Sequence, residues 1–234
     1  MIAHSATRVS ACNLRLDLEP WLYALQNAAA IEAHWQASLA THPHYFNGTV
    51  HLARDYTISD GRLTARFLRT DFKSYLHWRE HGYQAAGTYD AFGSAILRSL
   101  EGHILLGRQH KGINAGRIYL PGGFIDTRDV TSASTIDIAA SITREIAEET
   151  HLDLAGLTIQ PGFLIVRDGP LLAICMELRA PQPACALRAE ILASLAADSD
   201  PELAGIVIVR TPSDMTGLDV IPYSAIAVRA LLSA

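Results

Sequence analysis

The chain has 234 residues, enough for one large domain or two small ones, and its composition, 49% hydrophobic and 18% charged, is that of a folded protein with a full core. A formal net charge of −5 argues against a nucleic-acid backbone as partner. No apolar run approaches the length of a membrane span, no basic-then-apolar leader is evident, and Cys12, Cys175 and Cys185 share no metal-ligand spacing, so a reducing cytoplasm is the expected compartment.

Residues 1–20 read as a loose start. Leu22, Leu25, Ala29, Ile31, Trp35 and Leu39 recur at helical spacing and predict one helix over 21–42, broken by the HPHYFNG segment. In that segment Tyr45 and Phe46 are expected to anchor the loop on the core, and His42 and His44 to be surface histidines. Residues 49–56 and 63–68 alternate as strands, and Ser59-Asp60-Gly61 between them is a hairpin signal. A short helix follows over 71–81, capped by Thr70 or Asp71. The irregular stretch 82–90 marks a domain boundary, giving an N-terminal α+β domain over 1–90 and a second domain over 91–234.

Beyond it come a strand from Ala91, a turn at Glu101-Gly102, a strand at 103–106, a short strand at 118–120 and a helix at 135–150. Residues 157–167 and 171–178 read as a hairpin turning at Asp168-Gly169-Pro170. A helix at 187–196, a buried strand at 205–210 and a helix at 224–232 complete the chain. Strands interleaved with helices predict a sheet covered on both faces. Cys175, inside an apolar run, is expected to be a buried thiol.

The most informative stretch is YLPGGFID followed by a helix that carries Arg144-Glu145-Ile146-Ala147-Glu148-Glu149. At helical pitch the three glutamates share a face within about 100° of arc. Three carboxylates that close repel one another unless something positive offsets them, and a hard divalent cation with oxygen ligands does so. The apolar stripe Ile138, Ile142, Ile146 runs beside them and holds the acids at the edge of a packed surface. Gly122 and Gly123 allow close backbone approach to an anion or metal.

These residues resemble the Nudix box, G-x5-E-x7-R-E-U-x-E-E-x-G-U with U aliphatic, through Gly123, Arg144, Glu145, Ile146, Glu148, Glu149 and Leu152. The upstream HILLGRQHKGINAGRIYLPGGFID is similar to the strand–loop–strand that leads into the box in that family. Three departures stand out. About seven extra residues lie between Gly123 and Arg144, the first glutamate of the pattern falls at Ile136 with Asp137 one place out of register, and His151 replaces the helix-ending glycine.

The resemblance implies a Nudix α/β/α sandwich with a mixed sheet over 91–234, beside the small α+β N-terminal domain. It implies hydrolysis of a diphosphate bond in a nucleoside diphosphate linked to another moiety, a nucleotide sugar being one example. Mg²⁺ or Mn²⁺ would be held by Glu145, Glu148, Glu149 and the Gly123 carbonyl, with Arg144 orienting a glutamate. Glu202, in a loop before a strand, is the candidate base, with Glu177 as runner-up. Arg108, Lys111 and Arg117 are the candidate diphosphate clamp, His110 being part of the same cluster. The alternative is a catalytically silent nucleotide-binding or sensor module. The N-terminal domain would wall the pocket and select substrate, or form a homodimer surface. Neither nucleic acid nor membrane is an expected partner.

Overall fold

The computed structural model describes residues 4–85 and 87–233. Two sheets organise it. The smaller has three strands, β2 (Ala11–Leu16), β3 (Thr49–Ser59) and β4 (Arg62–Asp71), in the order β2-β4-β3. The β3–β4 hairpin turns where the Asp-Gly signal predicts, with both Asp60 and Gly61 at positive φ (51° and 67°). Helices α1 (Leu22–Gln26), α2 (Ala28–Thr41) and α3 (Phe72–Glu80) accompany this sheet. The single helix expected over 21–42 is two, because Asn27 leaves helical geometry (φ −111°, ψ 16°) and bonds back to the Tyr23 carbonyl through its amide at 2.8 Å. Trp21, Val50, Leu52, Leu68, Tyr75 and Trp78 form a core here, against which Phe124 packs.

The larger sheet is mixed and has nine strands. Its main path is β1 (His4–Val9), β10 (Phe163–Asp168), β11 (Leu171–Arg179), β5 (Asp90–Arg98), β6 (Ile104–Gln109) and β12 (Leu203–Val209). Three short strands, β7 (Ile118–Tyr119), β8 (Gly122–Phe124) and β9 (Thr158–Ile159), join β6, β5 and β11. The β5–β11 pair is parallel and the other pairs of this sheet are antiparallel. Helix α4 (Ile138–Thr150) packs on β5 and α5 (Ala184–Ala197) on β12, while α6 (Pro222–Leu232) packs on β10 and β1. Consecutive residues of β5 show that α4 and α6 cover opposite faces. A Cβ at Gly93 would lie 2.7 Å from Ile142 of α4, whereas Phe92 meets Tyr223 of α6 edge-on at 4.9 Å. The result is a three-layered α/β/α sandwich.

The start of the chain is not loose. β1 and β2 are separated by Ser10 alone and enter different sheets, β1 pairing with β10 and β2 with β4. Residues 157–167 are likewise two strands rather than one, broken at Pro161-Gly162, where Gly162 (φ 79°) passes so close to the Val9 carbonyl that a Cβ would lie 2.4 Å from it. Cys175 is buried, as expected.

The extra residues between Gly123 and Arg144 have a structural place. They run along β2, where the Leu16 amide donates to the Ser134 carbonyl at 2.9 Å and the Ile136 amide to Leu14 at 3.0 Å. The insertion thereby ties α4 to the small sheet. Ile136 is buried and Asp137 caps α4 by accepting from the Ala140 amide at 3.0 Å. At the other end His151 adopts the left-handed conformation of the glycine it replaces (φ 56°), and its ring bonds Asp198 at 2.9 Å.

Candidate active site

A cavity of about 750 Å³ opens between the two sheets, a size suited to a small-molecule ligand. One wall is the glycine loop with α4. Glu149 lies within the buried stripe of the helix, 2% exposed, and both its oxygens are partnered. Oε1 accepts from the Gly122 amide at 3.1 Å and Oε2 from the Tyr119 hydroxyl at 2.9 Å. Burial pushes its carboxyl up to about 8, the two hydrogen bonds oppose that shift, and Glu202 and Glu145 add to it.

Glu145 lies against Gly123 so closely that a Cβ there would sit 2.1 Å from Oε2. The absent side chain is what lets this carboxylate reach the cavity. Burial pushes Glu145 up to about 7, with Arg144 pulling the other way and Glu148 and Glu202 pushing further. Arg144 bonds Glu145 directly and reaches Glu148 at 3.5 Å and Asp129 at 2.8 Å. The guanidinium is held charged, above its ordinary range, by Asp129 and Glu145 against the cost of burial.

Of the expected site residues, Gly123, Glu145, Glu149, Glu202 and Arg117 line the cavity. Glu148 stands at its margin, 47% exposed, between Arg144 and Arg128. Arg108 and Lys111 do not line the cavity. Arg108 donates to the Gly116 carbonyl at 3.0 Å, and Lys111 pairs with Asp200 at 2.5 Å. For Arg108 the reason is strand parity: on β6 it is Gln109, not Arg108, that lines the cavity, while Lys111 lies in the loop beyond the strand. Glu177 lies elsewhere, buried and paired with Arg98 at 3.3 Å. Arg117 is held by Asp219 at 3.2 Å. In the HPHYFNG loop, Tyr45 packs against Trp35 and Phe72 as expected, but Phe46 is 82% exposed at the cavity mouth.

Comparison with protein-family models and with curated proteins gives no match. Comparison with solved structures matches Nudix-family structures. The NUDIX domain of Shewanella oneidensis NrtR, complexed with ADP ribose, is 16% identical over 60% of this chain and 84% of that one, with a TM-score of 0.41. A bifunctional NMN adenylyltransferase/ADP ribose pyrophosphatase from Francisella tularensis, complexed with AMP and a manganese ion, is 16% identical over 68% and 45%, at 0.42. The MutT protein from Methanosarcina mazei Go1 is 19% identical over 62% and 93%, at 0.34.

Several residues of the site escaped the sequence reading. Asp129 does not itself line the cavity but holds Arg144 at 2.8 Å, and it sits six places after Gly123, where the motif has its first glutamate when counted forward from the glycine. Arg128 lines the cavity and is paired with Asp126 at 2.7 Å. Tyr75, Arg79 and Tyr83, from α3 and the turn after it, and Asp90 at the start of β5 also line it, with Ile113 and Asn114. Nothing in local sequence signals them, because the wall is assembled from segments distant in the chain. Among the described residues no helix is long and apolar enough to cross a membrane.

Proposed function

We propose that the protein is a metal-dependent, Nudix-type pyrophosphohydrolase that cleaves the diphosphate bond of a nucleoside diphosphate joined to another moiety. One observation carries this reading: Glu145 and Glu149, buried against the paired glycines, share a cavity wall with Glu202, and burial and mutual repulsion push the first two to about 7 and 8. Carboxylates that resist ionisation beside one another form a donor set that a hard divalent cation stabilises. Among the described residues no three acid, histidine or cysteine side chains are gathered to hold a metal as they stand. The oxygens are turned instead to Arg144, Tyr119 and the Gly122 amide.

Glu145 and Glu149 would hold Mg²⁺ or Mn²⁺, with Glu148 at the margin and the Gly123 carbonyl nearby. When bound, the ion supplies charge neutralisation for the diphosphate and lowers the pKa of water. The remaining work falls to this chain's side chains. Arg144 orients Glu145, and Asp129 orients Arg144. Arg117 and Arg128 face the cavity and offer guanidinium forks to phosphate oxygens. Glu202, exposed at the same wall, is positioned to accept a proton from the attacking water.

A second reading, a nucleotide-binding module without turnover, draws support from the absence of a ready three-carboxylate grouping among the described residues. Incubation with Mg²⁺ or Mn²⁺ and a panel of UDP-sugars, ADP-ribose, NADH, coenzyme A, dinucleoside polyphosphates and nucleoside triphosphates separates the two. A nucleoside monophosphate released by wild type, and lost with chelator and in Glu149→Gln, supports the hydrolase. A folded protein that binds a nucleotide and turns over nothing on the panel supports the silent module.

A further inference from the structure

The cavity has a second set of polar residues, on α3 and at the start of β5, and its chemistry differs. Asp90 lines the cavity yet is only 4% exposed. Its Oδ2 accepts from the Tyr75 hydroxyl at 2.8 Å, while its buried Oδ1 has no hydrogen-bond partner. A buried carboxylate oxygen left without a donor is costly, and Asp90 is among the residues that line the cavity, with the Tyr83 hydroxyl beside it as a second group that favours its charged form. Arg79 stands one helical turn beyond Tyr75 on α3. Its Nη2 donates to Asn114 Oδ1 at 2.8 Å and its Nη1 lies 3.5 Å from the Tyr75 hydroxyl. Among the described residues no carboxylate pairs with Arg79. Phe124, edge-on to Tyr75 at 4.8 Å, and Ile113 add apolar surface to the wall.

Resting on the pyrophosphohydrolase reading, we propose that Asp90, with Arg79 and Tyr75, is the specificity site for the group beyond the diphosphate, and that this group is a neutral, hydroxyl-bearing ring. The opposite charges of Asp90 and Arg79 offset each other, so the pair favours no net charge in its ligand, and Asp90 repels a further phosphate. A hydroxyl is both donor and acceptor. It can give its proton to Asp90 Oδ1 while accepting from the Arg79 guanidinium. The apolar surface suits the carbon-bound face of such a ring.

The test compares Asp90→Asn with wild type on ADP-ribose, UDP-glucose and ATP. The first two carry a hydroxylated ring beyond the diphosphate on different bases, and ATP carries none. The variant is expected to lose tenfold to a hundredfold more kcat/KM on ADP-ribose and UDP-glucose than on ATP. Tyr75→Phe, which removes the Tyr75 hydroxyl from Asp90 Oδ2, should shift the same ratio less. Equal losses on all three substrates, or no loss, overturn the proposal. A loss on ADP-ribose and ATP that spares UDP-glucose also overturns it, assigning Asp90 to the base. If wild type turns over nothing, the hydrolase reading fails and the subsite is read from calorimetric binding of ADP-ribose in Ca²⁺. Binding at least tenfold tighter in wild type than in Asp90→Asn upholds the subsite. No difference, or no binding by wild type, overturns it.

Discussion

Arg144 Nη2 lies 2.8 Å from Oδ1 of Asp129, a carboxylate whose side chain is 2% exposed and which also accepts from the Asp126 amide at 2.9 Å. The same guanidinium bonds Glu145, so the position of a cavity carboxylate is set by a residue sixteen places back in the chain. Asp129→Asn keeps the shape and the capping bond but removes the charge that holds Arg144. Outer partners of this kind are worth about ten- to a hundredfold in metal affinity or activity. The variant is expected to need at least tenfold more Mn²⁺ for half-maximal turnover, while an Asp153→Asn control on the surface needs none. A metal titration identical to wild type would show that Glu145 is positioned without the pair.

The two glycines of the loop should fail in different ways. A Cβ at Gly122 would lie 2.2 Å from the Gly93 carbonyl oxygen, a backbone atom that cannot move without opening the β5–β8 pairing. Gly122→Ala is expected to lose about 1–3 kcal/mol or more in urea denaturation. A Cβ at Gly123 meets only the far end of Glu145, which can swing away. Gly123→Ala should therefore keep its melting temperature within a few degrees and lose about a hundredfold in kcat.

Asp90 gives stability a pH dependence of defined sign. Burial pushes its carboxyl up to about 6, with Tyr75 and Arg79 opposing the shift. The unfolded chain releases that proton near the ordinary value of about 4. Between the two the folded state holds more protons, so stability falls as pH rises from about 4 to about 6 and stays lower above. The loss is on the order of 3 kcal/mol. Asp90→Asn removes this component, and the difference between the two stability–pH curves should show the step. Parallel curves would mean that folding does not shift the Asp90 carboxyl.

At the end of α4, His151 holds a left-handed conformation (φ 56°) that costs an L side chain about 1 kcal/mol and glycine almost nothing. His151→Gly should therefore be about 1 kcal/mol more stable than His151→Ala by urea titration, both having lost the bond to Asp198. Equal stabilities would place the helix end in another geometry in solution.

Much of the α4 wall was legible because its information is local. Gly122, Gly123, Glu145 and Glu149 sit in one short motif whose spacing fixes helix and loop together. Asp129 was legible only by counting forward from Gly123. Counting back from Arg144 crosses the insertion and lands on Ile136, a core residue. Arg108 was misjudged by one step of strand parity, which charge alone does not reveal. β1 was missed because an edge strand with one buried residue, Val9, carries no apolar alternation. The Asp90–Arg79–Tyr75 wall was illegible for another reason: its residues become neighbours only when the small sheet docks on the large one.

The separation of β1 from its partner also sets an order of events during synthesis. His4 pairs with Asp168 and Val9 with Phe163, so the first strand emerges from the ribosome some 160 residues before the strand that receives it. β2, one residue later, finds β4 within about 60 residues and can close the small sheet early. β1, one residue before β2, has no strand to pair with until β10 is made. Closure of that edge of the nine-stranded sheet therefore waits for residues 163–168.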